Sequence, residues 1–393
     1  MGSLTPEKVI ELEDSHESGV NRRQPYVLVK GEGALLWDSE GREYIDCVAG
    51  HGVGNVGHAN PAVIEAVTEQ IKRLAVCSDG FYNDKRAELL AELTRIAPPG
   101  LDRAFLCNSG AESVEAAFKF ARLATGRKKI IAAMRGFHGR TFGALSATWR
   151  RKYRKPFEPL VPGFEFVPYN NLDEAAKAVD DGTAAVILEV VQGEGGVNVG
   201  ERDFLLGVQE LCRERGALFI VDEVQTGFGR TGRMFAGQHH DLRPDVMCVA
   251  KAMAGGLPMG ATLIGSRVQG LAPTMHSSTF GGSPVPCAAA VAAIRYIEAE
   301  KLPQRAAEMG ARLLEGLKGI DSQQMREVRG LGLMVAVELK TKSGPYLAAL
   351  AERGVLALAA GSTVMRFLPP LVISAEQVDT VVERVGQVLA LEP

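Results

Sequence analysis

From about residue 60 to about residue 300, short β-branched apolar runs alternate with amphipathic stretches. KIIAA, AAVILEV, ALFIV, DVMCVA and ATLIG are too short for helices and nearly continuous in apolar character, as strands buried on both faces are. RAFLC (103–107) reads as another strand. Between them lie helical patterns: a helix opened by Asn60-Pro61 and running to about Ala75, a second over DKRAELLAELTRIAP, and a third over SGAESVEAAFKFARLA. This alternation predicts an α/β fold with a mainly parallel central sheet. Beyond about residue 300 the pattern changes to helix, GLMVAVELK, short helix, VLAL, VMRFLPPL and a final helix, a smaller α+β unit. The first 58 residues carry short strand candidates in YVLVKGEGALLWD and EYIDCVAG and are expected to pack on that unit. The expected division is therefore 1–58, 59–300 for the large domain, and 301–393 for the small one.

A chain of 393 residues suits two domains better than one core. Its net charge of -3 gives no global attraction to nucleic acid. No apolar run approaches the roughly 18 residues a membrane helix needs, and MGSLTPEKVIELED lacks the apolar core of a secretory signal. Cysteines 47, 77, 107, 212, 248 and 287 are scattered, with no CxxC pair, which favours reduced thiols over a disulfide frame or a zinc site. The expectation is a soluble cytoplasmic enzyme.

The chemistry begins at LFIVDEVQTG (218–227), where an apolar strand runs into Asp222 and Glu223. Asp222 leaves the sheet in poor solvent, and a buried carboxylate needs a cation or hydrogen-bond donors. CNSGAES follows a strand and opens a helix: Ser109 can cap it, Glu112 can complete a capping box, and Gly110 lets a ligand approach the backbone. A helix N-terminus also receives phosphate, so the turn is either a plain cap or an anion site. Lys251 ends an apolar run. There it is either a snorkelling strand-end lysine or a desolvated amine of lowered pKa, suited to covalent catalysis. Asp222 and Lys251 follow successive strands, and parallel strands bring both to the carboxyl edge where α/β proteins bind ligands. A phosphate cradle, a nucleophilic lysine and a buried acid together match pyridoxal 5′-phosphate.

The motifs CNSGAES, RGFHGRT, EVVQGEGG, FIVDEVQTGFGRTG, AKAMAGGLPMGA, HSSTFGGSP and MRFLPPLVI, in this order and over essentially the whole chain, resemble the class III (ω-amino) aminotransferases of fold type I. AAMRGFHGRT, ATWRRKYRKPFEPLV, REVRGLGLMVAVELK and VMRFLPPLVI look most like the acetylornithine aminotransferases and their lysine-biosynthetic relatives. The latter act on aminoadipate semialdehyde attached to the carrier protein LysW. The resemblance implies that Lys251 bonds the cofactor aldehyde, Asp222 pairs with the pyridinium nitrogen, Gln225 meets the ring hydroxyl and Phe137 stacks on the ring. Ser109 and Gly110 would bind the phosphate, which Thr279 would reach across a homodimer interface with Ser278 beside the substrate. Arg140 would hold the distal carboxylate. Glu194 would mask Arg366 for an ω-amine and uncover it for the α-carboxylate of glutamate, with 2-oxoglutarate as the acceptor. A structural Glu194–Arg366 ion pair and a surface Arg140 are the alternatives. The sequence departs from the usual pattern in SGAESVEAA, in EVVQGEGG and in the serine of HSSTFGG, which weakens the role implied for Ser278.

WRRKYRKP packs Arg150, Arg151, Lys152, Arg154 and Lys155 into one loop. Such a run is either a solvated face or a docking patch for an acidic carrier protein. HHD at 239–241 reads as surface, since consecutive histidines cannot face one metal. The expected activity is transamination of acetylornithine or a carrier-linked semialdehyde. Ornithine or 4-aminobutyrate transamination, or a mutase or decarboxylase on the same fold, are the rivals. A nicotinamide dehydrogenase is disfavoured because no strand is followed by GxGxxG. Glu223 has no reading beyond a structural one.

Overall fold

A computed structural model describes residues 4–21 and 23–390, so residues 1–3, 22 and 391–393 lie outside it. In chain order, β1 (Leu28–Glu32), β2 (Leu35–Asp38) and β3 (Glu43–Asp46) form an antiparallel meander. The large sheet is built from β4 (Leu101–Cys107), β5 (Lys129–Ala133), β6 (Phe164–Val167) and β7 (Thr183–Glu189). A short hairpin of β8 (Val191–Gln192) and β9 (Asn198–Val199) follows, then β10 (Leu218–Asp222), β11 (Val246–Val249) and β12 (Gly260–Gly265). The C-terminal part contributes β13 (Met325–Leu331), β14 (Met334–Leu339), β15 (Val355–Leu356), β16 (Leu358–Ala359) and β17 (Val364–Phe367).

The large sheet has the order β4-β12-β11-β10-β7-β5-β6, and only β12 runs against the rest. Both of its faces are covered, which explains the unbroken apolar runs. Leu218 and Ile220 of β10 pack towards helix Gly110–Thr125, whereas Phe219 and Val221 pack towards helix Arg202–Glu214. The period of two thus places alternate residues of one strand in two different cores.

In-register pairing sets Asp222 beside Glu189 of β7 and Cys248 of β11. Lys251 follows two residues after β11, at the start of a 3₁₀ turn, with a positive φ of 46°. The acidic strand ends and the lysine therefore share one edge of the sheet.

Besides the two-residue strands β8 and β9, two strands escaped the apolar pattern, and both are edges. β6 ends the large sheet, and β13 (MREVRGL) ends the order β13-β14-β17-β16. An edge strand with one wetted face carries charges where a central strand cannot. VLAL is not one strand, as expected, but two. β15 pairs with β3 of the N-terminal meander and β16 with β17, because the chain changes sheets at Ala357.

Candidate active site

A cavity of about 270 Å³ opens at the carboxyl edge of the large sheet. Lys251, Asp222, Gln225, Gly110, Phe137, Arg140 and Glu194 all line it. Lys251 is half-buried and forms no ion pair among the described residues. Burial, and then the positive charge of Arg366, push its amine down to about 8, against the pull of Glu194, Asp222 and Glu189. A neutral amine is accordingly accessible near neutral pH.

Asp222 Oδ1 accepts the Val224 amide at 3.0 Å, and Oδ2 lies 2.7 Å from His138 Nδ1. His138 was not among the expected site residues. Burial alone would lower its pKa, but the hydrogen bond and charge of Asp222, with Glu189 behind, raise it. Its Nε2 is buried without a partner among the described residues. Glu189 was also missed. Its carboxylate accepts the amides of Phe137 (2.8 Å) and Gly193 (3.2 Å). Burial raises it to about 7, opposed by His138 and reinforced by Asp222. Both had visible signals: Glu189 ends a buried apolar run as Asp222 does, and His138 sits between Phe137 and Arg140 in RGFHGRT.

Helix Gly110–Thr125 starts at the cavity. Ser109 Oγ accepts the Glu112 amide at 3.2 Å. The expected capping box closes only halfway, because the Glu112 carboxylate reaches one residue further back to the Asn108 amide (2.8 Å). Helix geometry leaves the Gly110 and Ala111 amides without intrahelical acceptors. A side chain at 110 would collide with Val224 at 2.7 Å, so the approach to these amides depends on glycine.

On the opposite wall, the carboxylate of Glu194 meets Arg366 Nη2 at 2.7 Å. Arg366 lies on β17 with 1% of its side chain exposed, while Glu194 retains 25%. Burial pushes Glu194 up, but Arg366 outweighs it and holds the carboxyl below the usual range. Gln225 donates to the His51 carbonyl at 3.0 Å, and its Oε1 lies 3.5 Å from Arg366. Arg140 is exposed, its guanidinium 3.6 Å from the centroid of the Tyr153 ring and 5.7 Å from that of Phe137.

Ser278 and Thr279 do not reach this cavity within one chain. Ser278 Oγ accepts from Asn108 and from the Gly281 amide, both at 3.1 Å, and Thr279 is exposed. The basic loop divides. Arg150 turns inward to the Glu194 carbonyl (2.8 Å) and Arg154 lies over Phe166, leaving Arg151, Lys152 and Lys155 exposed. His239 is turned to the Thr231 carbonyl at 3.0 Å, and no acid, thiol and imidazole group among the described residues is arranged to hold a metal. No helix among them is long and apolar enough to cross a membrane. Glu223, which had no reading, is fully buried and accepts from Thr226 Oγ1 and from the amides of Ala236 (3.0 Å) and Gly237 (2.7 Å).

A depressed amine, a buried acid and free helix-terminal amides around one cavity fit pyridoxal phosphate on this geometry alone. Comparisons with known proteins agree. The model of the family described as "Aminotransferase class-III" matches residues 18–389. A [LysW]-aminoadipate semialdehyde transaminase of Deinococcus radiodurans is 51% identical over 98% of this chain and 90% of its own length. An acetylornithine aminotransferase of Methanothermobacter thermautotrophicus is 48% identical over 98% of this chain and 100% of its own. Among solved structures, an ornithine aminotransferase from Toxoplasma gondii superposes with a TM-score of 0.94 at 34% identity, covering 98% of this chain and 94% of that one. The chain belongs to the class III aminotransferases, and its cofactor is pyridoxal 5′-phosphate.

Proposed function

We propose that the enzyme moves an amino group between glutamate/2-oxoglutarate and the terminal position of an ω-amino substrate. The substrate is acetylornithine or a carrier-linked lysine/aminoadipate semialdehyde, in arginine or lysine biosynthesis. The observation that carries this reading is the Glu194–Arg366 ion pair on the wall of the Lys251 cavity. Arg366 free would attract an α-carboxylate, which glutamate has beside its reacting carbon and an ω-amine lacks; Arg366 masked suits the ω-amine. Arg140, exposed further out and held by rings rather than by an acid, is free to take the distal carboxylate of either substrate.

The cofactor supplies an electron-accepting ring to which the substrate amine is joined. Lys251 would hold it, and its amine, pushed down to about 8, would carry the proton to and from the substrate carbon that bears the amine. Asp222, held by His138 and Val224, would meet the ring nitrogen, Phe137 the ring and Gln225 its hydroxyl; Ser109 and Gly110 would receive the phosphate. Thr279 and Ser278 act from a second copy, in a homodimer. The exposed apolar side chains of Phe81, Tyr82, Met275 and Phe280, the last two flanking Ser278–Thr279, support that pairing. Arg151, Lys152 and Lys155 offer an acidic carrier a docking face.

The test is an assay series with 2-oxoglutarate and acetylornithine, ornithine, 4-aminobutyrate or a carrier-linked lysine. Acetylornithine or the carrier-linked amine should lead; preference for free ornithine or 4-aminobutyrate would reject the reading. Lys251→Ala should abolish turnover. Neutralising the three exposed cations should slow only the carrier-linked reaction, and should remove its salt dependence.

A further inference from the structure

The turn that carries Glu194 is Gly193-Glu194-Gly195-Gly196, between β8 and β9. Three glycines make such a turn floppy in isolation. Here its main chain is fastened from three sides. The buried Glu189 carboxylate accepts the Gly193 amide at 3.2 Å. Arg150 Nη2, from the basic loop, donates to the Glu194 carbonyl at 2.8 Å. Arg329, from edge strand β13, donates through Nε and Nη2 to the Gly196 carbonyl at 2.9 and 2.7 Å. Arg329 is itself anchored by Glu327 and Glu338, each at 2.7 Å. The next residue, Val197, is fully buried at a φ of 57°, a conformation that a β-branched residue keeps only when its surroundings impose it.

We propose that Arg150 and Arg329 are positioning residues that hold this turn still, so that the Glu194 side chain alone moves, and that they thereby set the enzyme's preference between ω-amine and α-amino acid. This rests on the reading of Glu194 and Arg366 given above. The direction follows from the geometry. The ω-amine half-reaction needs Glu194 seated on Arg366, which requires a fixed main chain. The glutamate half-reaction needs that pair open and loses nothing when the turn loosens. Arg150 is therefore spent on the turn and not available to a docking partner, although it belongs by sequence to the basic run.

The experiment measures both half-reactions separately by single turnover of the holoenzyme, with glutamate and with whichever ω-amine of the assay series turns over fastest. Arg150→Met should raise the ratio of glutamate to ω-amine kcat/KM by about tenfold, the usual worth of one hydrogen bond from a charged donor. The change should come mainly from the ω-amine arm, and Arg150→Lys should restore most of it. Arg329→Lys should move the ratio the same way. In the cofactor-free protein, hydrogen exchange of amides 193–199 should quicken in Arg150→Met. In a Glu194→Gln background, Arg150→Met should add nothing. Equal losses in both half-reactions, a ratio that neither arginine variant moves, or unchanged exchange would overturn the inference. If Glu194→Gln itself leaves the ratio unchanged, the masking role of Glu194 fails instead, and the inference falls with it.

Discussion

Asp222 and Glu223 are adjacent, both buried, and surrounded in opposite ways. Glu223 is satisfied from its own neighbourhood: Thr226 and the amides of Ala236 and Gly237 supply its donors, and its side chain is fully buried. Asp222 borders the open space beside Lys251, and one of its two partners is an imidazole from β5's exit loop whose far nitrogen is itself unpaired. A buried polar group whose partners are all local ties a loop to the sheet. One whose partner set stays open towards a cavity is built for something that arrives. Burial is common to both, and only the completeness of the hydrogen-bond shell separates them.

Exchanging each acid for its amide sharpens the contrast most. Asp222→Asn removes the charge proposed to face the ring nitrogen, and losing one preorganised electrostatic contact at a reacting group typically costs the reaction about 2.7–4 kcal/mol. Turnover should fall by about 10² to 10³-fold while the thermal midpoint hardly changes. Glu223→Gln should do the reverse. An amide cannot accept from all three donors, so a buried N–H is stranded at a cost of about 1–3 kcal/mol, and kcat of the folded protein stays near wild type. Melting curves and steady-state rates on the same preparations decide it. If both variants lose activity alike, hydrogen-bond completeness does not distinguish the two acids.

His138→Phe gives a smaller effect in the same direction as Asp222→Asn. Asp222 keeps the Val224 amide but loses its only side-chain donor among the described residues. A hydrogen bond to a charged group is worth about 1.5–3 kcal/mol, so kcat should drop by about 10 to 100-fold. Spectrophotometric titration should show the cofactor still bound. A variant with wild-type rates would make His138 a packing residue.

How much of this was legible beforehand depends on how local the cause is. The strand carrying Asp222, the turn carrying Lys251 and their common edge follow from apolar runs and the direction of parallel strands, both written in short windows of sequence. Edge strands β6 and β13 were not legible, since charges on a half-wetted strand look like loop. His138 and Glu189 carried signals in their own windows, yet their meeting with Asp222 is a matter of register between β7 and β10 and of the loop after β5. No single window contains that. The inward turn of Arg150 was illegible for the same reason: its partner is 44 residues away. Motif resemblance named residues, and the fold decided which of them share a space.

The smallest effect concerns pH and separates Glu223 from a simple charge. Burial raises its carboxyl above the ordinary range, outweighing the donors at Thr226, Gly237 and Ala236. A group with a folded pKa above its unfolded value of about 4.3 contributes stability that is fully present below that pH and is lost as pH rises through the folded value. Glutamine does not titrate, so the difference between wild type and Glu223→Gln isolates this term from every other acid. The stability gap, measured by denaturant midpoints from about pH 4 to about pH 7, should be widest at the acid end and narrow with rising pH. An ordinary paired carboxylate, with its pKa depressed, would widen the gap in the opposite direction. A gap that grows towards neutrality would mean that Glu223 is held as a stabilised anion, and that its shell of donors does more than offset burial.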